Sequence, residues 1–180
     1  MVMKRFALQI LAVATILIAS AGSLAGQGIV SAPAQPVSFM EFAVACDGKS
    51  PEQVRDFFLK KGWNHSGSQW ETIEHFGWER FESRNSSGET DSATVYVFDK
   101  KSVKGFYKTT ERSIFKAWER AVTNYNFQTE SLLIEKDMVI SKFHNDDYIV
   151  SFYEREKSFR STGRDRFIIV VEKRGQLKDF

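Results

Sequence analysis

The sequence has few of the residues that mark unusual protein classes. It contains one cysteine, three prolines and eleven glycines among 180 residues. These numbers exclude a disulfide-stapled, a collagen-like and a low-complexity chain. Sixteen phenylalanines, five tyrosines and four tryptophans exclude a disordered one. The chain should therefore fold around one hydrophobic core without covalent cross-links.

Long apolar runs are absent beyond the N-terminus. Residues 6–19 form the one such run, and it follows Lys4 and Arg5 and precedes the small residues Ser23 and Ala25. This order predicts a secretory signal peptide over residues 1–25, cleaved after Ala25. An uncleaved anchor is the alternative, although the run is shorter than the ~20 residues that span a bilayer. We expect an exported protein, periplasmic or secreted, whose mature chain has no stable membrane insertion.

Charge of either sign is not in excess in the mature chain. The full sequence has 25 basic and 23 acidic residues, and loss of Lys4 and Arg5 with the signal peptide leaves 23 of each. Non-specific nucleic-acid binding needs a net or clustered positive charge. The composition therefore argues against a nucleic-acid partner.

The single cysteine, Cys46, has no partner within the chain for a disulfide. Free cysteine behaves as a small hydrophobic residue, so we expect an inert thiol buried at the end of a strand. An intermolecular bridge, a reactive thiol and a lipid attachment site remain alternatives.

Helix boundaries are the clearest local features of the mature chain. Residues 26–36 read as a flexible leader, residues 37–180 as one domain, and residues 37–46 as a buried strand. Ser50 followed by Pro51 predicts a helix start, with Gln53 completing a capping box, and Gly62 predicts its end. A second amphipathic helix is predicted over residues 111–125, ending at Asn126.

Three strand-like segments are predicted after each helix. They are residues 69–76, 77–84 and 93–100, and then 131–143, 148–156 and 166–173, although 69–76 could also form a short helix. The fold class is therefore α+β. We predict two α-β-β-β units, at about residues 48–104 and 105–174, that form an antiparallel sheet with the helices packed on one face.

The element order and the matching helix ends, Gly62-Trp63 and Asn126-Phe127, give the chain a resemblance to the secreted β-lactamase-inhibitor-like proteins. In that fold, two helix-plus-strand units build a concave sheet. The resemblance covers about residues 48–174 and includes no diagnostic motif. It implies a protein-binding or envelope role without a cofactor. The paired cysteines of the inhibitor are missing here, so no inhibitory residue is carried over.

Catalytic and metal-binding motifs are also lacking. None of the three histidines has metal-ligand spacing, and the cluster of Glu71, Glu74, His75, Glu79 and Glu82 reads as a solvated acidic hairpin. No nucleophile elbow, phosphate-binding loop or dinucleotide glycine pattern occurs. We therefore predict no catalytic, cofactor-binding or metal-binding residues and a protein that is not an enzyme.

Aromatic residues are the one unusual feature. Trp63, Trp70, Trp78 and Phe81 fall within about twenty residues. They either fill the core or anchor a partner on a sheet surface, for which we select Trp70, Trp78 and Phe81. Binding of another macromolecule, through a protein partner not identified by the sequence, is the first functional hypothesis. Small-ligand or glycan binding at the aromatic surface is the alternative, and a hydrolase of unknown type is third.

Overall fold

The computed structural model describes residues 34–135, 138–155 and 167–175. The helices are α1 (Phe39–Ala45), α2 (Pro51–Lys60) and α3 (Arg112–Asn124). The first four strands are β1 (Asn64–Gln69), β2 (Gly77–Arg84), β3 (Thr90–Phe98) and β4 (Lys101–Thr109). The last four are β5 (Gln128–Glu135), β6 (Met138–His144), β7 (Tyr148–Arg155) and β8 (Phe167–Lys173).

All eight strands belong to one antiparallel sheet with the order β1-β2-β3-β4-β8-β7-β6-β5. Each meander of four consecutive strands follows one of the longer helices, and the two meanders join where β4 pairs with β8. The mixed α+β class is therefore correct.

The helices pack against one face of this sheet, because their apolar stripes and alternate strand residues share a single core. Phe58 of α2 stacks on Phe81 of β2 with ring centroids 4.3 Å apart. Trp118 of α3 lies 4.5 Å from Tyr107 of β4, again between ring centroids. All four side chains are almost fully buried. Burial of each large ring contributes roughly 2 kcal/mol, so these contacts hold the helices on the sheet.

The predicted ends of the two longer helices are confirmed. Ser50 and Gln53 form the capping box of α2, with Pro51 in its first turn. Gly62 follows α2 with φ 78°, and Asn126 follows α3 with φ 59°. The Trp63 amide donates to the Phe58 carbonyl at 3.0 Å, so the chain turns back onto the helix as expected.

The predicted strand at residues 37–46 is wrong, because residues 39–45 form α1. Ser38 caps this helix and forms a capping box with Glu41, a pattern that fixes a helix start whatever the strand propensity of the following residues. Cys46 is nevertheless buried as predicted, at the C-terminal cap of α1 instead of a strand end.

The prediction of three strands after each helix is also wrong, because four follow each one. Residues 70–76 form the loop after β1, and the prediction includes neither β1 nor β4. The 131–143 segment contains parts of β5 and β6, which pair as a hairpin. The strand-like pattern of residues 131–143 does not itself show that the chain reverses within the segment.

The end of the predicted leader is docked instead of flexible. The Gln35 amide donates to the Lys61 carbonyl at 2.7 Å, and the Trp63 indole donates to the Gln35 carbonyl at 3.0 Å. The predicted signal peptide over residues 1–25 and the predicted leader up to residue 33 lie outside the described residues. Within the described part of the chain, no helix is long and apolar enough to cross a membrane.

Candidate functional site

The structure separates the three aromatic residues selected from the sequence. Trp70 is 80% exposed, on the loop between β1 and β2, whereas Trp78 of β2 is half-buried. Phe81 is fully buried against Phe58, so its selection as a surface anchor is wrong. Side chains alternate between faces along a strand, and residues three apart, such as Trp78 and Phe81, point to opposite faces.

We call the sheet face opposite the helices the open face, because none of the described helices packs on it. Trp78 lies across from Tyr96 in the pairing of β2 with β3. Phe106 of β4 lies across from Val170 of β8, and Ile168 of β8 lies across from Tyr153 of β7. The centre of the open face is therefore apolar on β3, β4, β7 and β8, and Trp78 extends this apolar surface onto β2.

These residues line a groove of about 650 Å³ that we call the open-face groove. Tyr96 and Phe106 meet edge to face with ring centroids 5.4 Å apart. The complete lining comprises Trp78, Arg80, Thr94, Tyr96, Phe106, Lys108, Met138, Tyr153, Ile168 and Val170. Contributions from β2 to β4 and from β6 to β8 show that the groove depends on both meanders.

Cations accompany the apolar residues of the open-face groove. Arg80 pairs with Glu82 at 3.1 Å, and Lys104 pairs with Glu172 at 2.9 Å. The Lys104 ammonium also lies 5.5 Å from the centroid of the Phe106 ring. Lys108 adds a further basic side chain to the groove lining. Aromatic rings and basic groups therefore alternate on this face.

A second depression, the loop cavity, lies at the end of the sheet beside the β1–β2 loop. Its volume is about 820 Å³, and both Trp70 and Trp78 line it. The Trp78 indole donates to Gln69 Oε1 at 2.8 Å, which fixes the orientation of the Trp78 ring. Ile73, for which no sequence pattern indicates a role, is fully exposed on the same loop.

Glu71 connects the β1–β2 loop to the turn between β3 and β4. Its carboxylate accepts from the Asp99 and Lys100 amides at 2.9 and 3.2 Å. Both turn residues have positive φ, 49° and 57°, the geometry of a two-residue hairpin turn. Because non-glycine residues adopt this geometry at an energetic cost, the two charge-assisted hydrogen bonds help to stabilise the turn.

Glu79 is the buried carboxylate of the loop cavity, with its side chain 6% exposed. Arg55 Nη2 donates to it at 2.7 Å, and His65 Nε2 lies 2.6 Å from its other oxygen. Glu79 therefore ties α2 to β1 and β2 and is not part of a solvated acidic hairpin. A buried carboxylate paired with a guanidinium group in this way is typical of a structural ion pair.

The rest of the predicted acidic cluster is dispersed. Glu71 serves the hairpin turn, Glu82 pairs with Arg80, and Glu74 and His75 lie exposed on the β1–β2 loop. Among the residues that the structure describes, no three histidine, cysteine, aspartate or glutamate side chains are grouped so that they could hold a metal ion.

The Cys46 thiol is buried between α1 and the sheet. Burial, with the nearby charge of Asp47, raises the pKa of the thiol well above its ordinary value. A thiol with a raised pKa is a poor nucleophile at neutral pH. The surroundings of Cys46 therefore do not favour a reactive role for its thiol.

None of the protein families, curated protein sequences or solved structures compared with the chain matches it.

Proposed function

We propose that this is an exported, non-enzymatic protein that binds a protein partner on its open face. The observation that carries the proposal is the composition of that face. An antiparallel sheet with one face on the core normally presents polar residues on the other. Here the partly exposed Tyr96, Phe106, Tyr153 and Ile168 take those positions, around the buried Val170. Apolar surface of this kind marks interaction sites.

The charged residues help to define the chemistry of the partner. Arg80 and Lys108 line the open-face groove, and Lys104 lies over the Phe106 ring, but Arg80 and Lys104 are already paired with Glu82 and Glu172. A partner with charged side chains of both signs around an apolar centre would complement this surface. Attraction between the two charge patterns would speed association and weaken at high salt.

The resemblance to the β-lactamase-inhibitor-like proteins forms part of the proposal. Each unit would consist of one longer helix with its four-stranded meander, one strand more per unit than the sequence predicted. The central pairing of β4 with β8 supports this arrangement, because it relates the two meanders symmetrically. The groove would then be the surface shared by the two units.

A small-molecule function is the second candidate, and the loop cavity favours it. Trp70 and Trp78 line one concave depression, as a small-ligand or glycan site would require. An enzymatic function is the third candidate and gains no support from the described side chains.

Partner capture tests the proposal. The full chain would be expressed with a C-terminal tag in its natural host. The exported protein would then be used to capture partners from the envelope and secreted fractions. The double variant Tyr96→Ala/Phe106→Ala removes two open-face rings and should reduce recovery of the partner at least tenfold.

Intact-mass measurement of the exported chain should give a mature N-terminus at Gly26.

The matched control changes apolar residues on the helical side. Val44 and Leu59 are about half exposed, and the Val44→Ala/Leu59→Ala variant should capture the partner as well as the wild type does. Thermal melts followed by circular dichroism establish that both variants are folded. Partner loss from the helical variant alone would overturn the open-face proposal.

A further inference from the structure

The loop cavity has two features that together define a class of ligand. It is concave, with a volume of about 820 Å³, within the range of small-molecule sites. Trp70, Trp78 and Phe98 supply aromatic side chains to its lining. Trp70 remains 80% exposed although it belongs to this lining, so its indole is accessible to a bound molecule.

The charged groups of the loop cavity are mostly negative. Its lining contains four carboxylates and one ammonium group, namely Glu52, Glu71, Glu79, Asp99 and Lys100. Arg55, which is not part of the lining, pairs with Glu79 and offsets one of the charges. The Glu71 carboxylate is bound to two backbone amides, so Glu52 and Asp99 are the carboxylates of the lining that favour a cation over an anion.

The N-terminus of α2 also borders the loop cavity and would by itself attract an anion. Its polar groups are already engaged. Ser50 Oγ accepts from the Gln53 amide, and Gln53 Oε1 accepts from the Ser50 amide. Glu52 places its own carboxylate in the same turn. The helix start therefore does not reverse the preference of the cavity for a cation.

We propose that the loop cavity binds a small organic cation with an alkylated ammonium group. The ammonium group would lie against the exposed Trp70 indole, and the Asp99 and Glu52 carboxylates would supply the opposing charge. Alkylated ammonium ions suit such a site because they shed water readily and are attracted to the face of an indole ring. Anions lack this complementarity.

The β1–β2 loop is held in place without a ligand. Glu71 binds the β3–β4 turn, and the Thr72 amide donates to the His75 carbonyl at 2.9 Å. A ligand would therefore bind without first having to order the loop, which favours affinity.

Calorimetric titration of the full chain with choline chloride tests this proposal. We expect saturable binding that sodium chloride at equal ionic strength does not reproduce. The control ligand is 3,3-dimethylbutan-1-ol, which has the shape of choline without its charge and should not bind. Absence of saturable choline binding, or equal binding of the neutral alcohol, would overturn the proposal.

Two variants locate the binding site within the molecule. Trp70→Ala should weaken choline binding about tenfold through loss of the cation–π contact. Asp99→Asn should weaken it two- to fivefold while it keeps the turn, because asparagine tolerates positive φ. Asp146→Asn, on the exposed β6–β7 turn, is the matched control and should leave affinity unchanged. Unaltered choline affinity in Trp70→Ala would refute the assignment.

This site is independent of the partner proposed for the open face. Phe106 lines the open-face groove and is not part of the loop cavity. Phe106→Ala should therefore leave choline affinity unchanged even where partner capture fails. Loss of choline binding in Phe106→Ala, with the fold intact by circular dichroism, would contradict the separate cation site.

Discussion

The Cys46 thiol occupies the space that a side chain at Gly105 would need. A Cβ atom built on Gly105 would lie 2.2 Å from Cys46 Sγ and 2.7 Å from Phe42 Cζ. Both distances are far below van der Waals contact. The missing side chain on β4 therefore allows α1 to pack directly on the centre of the sheet.

Gly105→Ala should destabilise the protein by about 1–3 kcal/mol, because the added methyl group forces α1 away from β4. Urea unfolding measures the change. Cys46→Ala alone should cost about 1 kcal/mol. The double variant Gly105→Ala/Cys46→Ala should be less destabilised than the sum of the two, since removal of Sγ relieves the closest contact. Strict additivity would contradict this packing.

The two helix ends give a paired prediction about positive φ. Gly62→Val should lower the free energy of unfolding by about 1–2 kcal/mol, because a β-branched residue is strained at φ 78°. Asn126→Gly should be neutral or slightly stabilising at φ 59°. Equal effects of the two substitutions in urea unfolding would show that helix-end geometry is not the cause.

Asp47 should make stability depend on pH. Its carboxylate accepts from the Tyr148 hydroxyl at 2.8 Å and from Lys173 Nζ. Burial alone would raise the pKa of Asp47. The hydrogen bonds, together with the charges of Lys173 and Lys49, outweigh burial and hold the pKa below the ordinary 3.8. The stabilisation is therefore complete above the ordinary pKa and lost as pH falls through the lowered one.

Asp47→Asn should accordingly cost about 1 kcal/mol at pH 7. The difference from wild type should shrink as the pH falls below 3.8 and the wild-type carboxylate becomes protonated. Urea titrations at several pH values measure this difference. Asp146→Asn on an exposed turn is the matched control and should leave the free energy of unfolding at pH 7 unchanged. A cost for Asp47→Asn that does not shrink as the pH falls below 3.8 would contradict the charged network.

Iodide quenching should distinguish the exposed Trp70 from the buried tryptophans. Trp63 and Trp118 are each 3% exposed and should resist quenching, whereas the 80% exposed Trp70 should be quenched strongly. Trp70→Phe should remove most of the quenchable fluorescence. Strong quenching that survives in Trp70→Phe would indicate that the β1–β2 loop is arranged differently.

The sequence supplied enough information for the two longer helices but not for all of the strands. Ser50 and Gln53 identify a helix start through local hydrogen bonds, which sequence spacing reveals directly. The turn of Asp99 and Lys100 is not recognisable in this way. Its positive φ angles are supported by Glu71, which is distant in sequence. The β3–β4 hairpin was therefore missed.

The candidate surface was only partly predictable for a related reason. Alternation along β3 places Tyr96 opposite the aliphatic face, and the same rule separates Trp78 from Phe81. The rule shows that Trp78 and Phe81 cannot both anchor a partner on one face, and the structure shows that Phe81 is the buried one. The contribution of Phe106 and Val170 depends on the pairing of β4 with β8, a long-range contact that no local pattern specifies.

Site-specific photo-crosslinking tests the open-face proposal most directly. A benzophenone amino acid would replace Tyr153 in the open-face groove or, as the control, the exposed Leu59 of α2. After irradiation in the natural host, we predict that the Tyr153 position yields one defined crosslinked partner and that the Leu59 position yields none. The same partner crosslinked from Leu59 and absent from Tyr153 would contradict the open face as the binding surface.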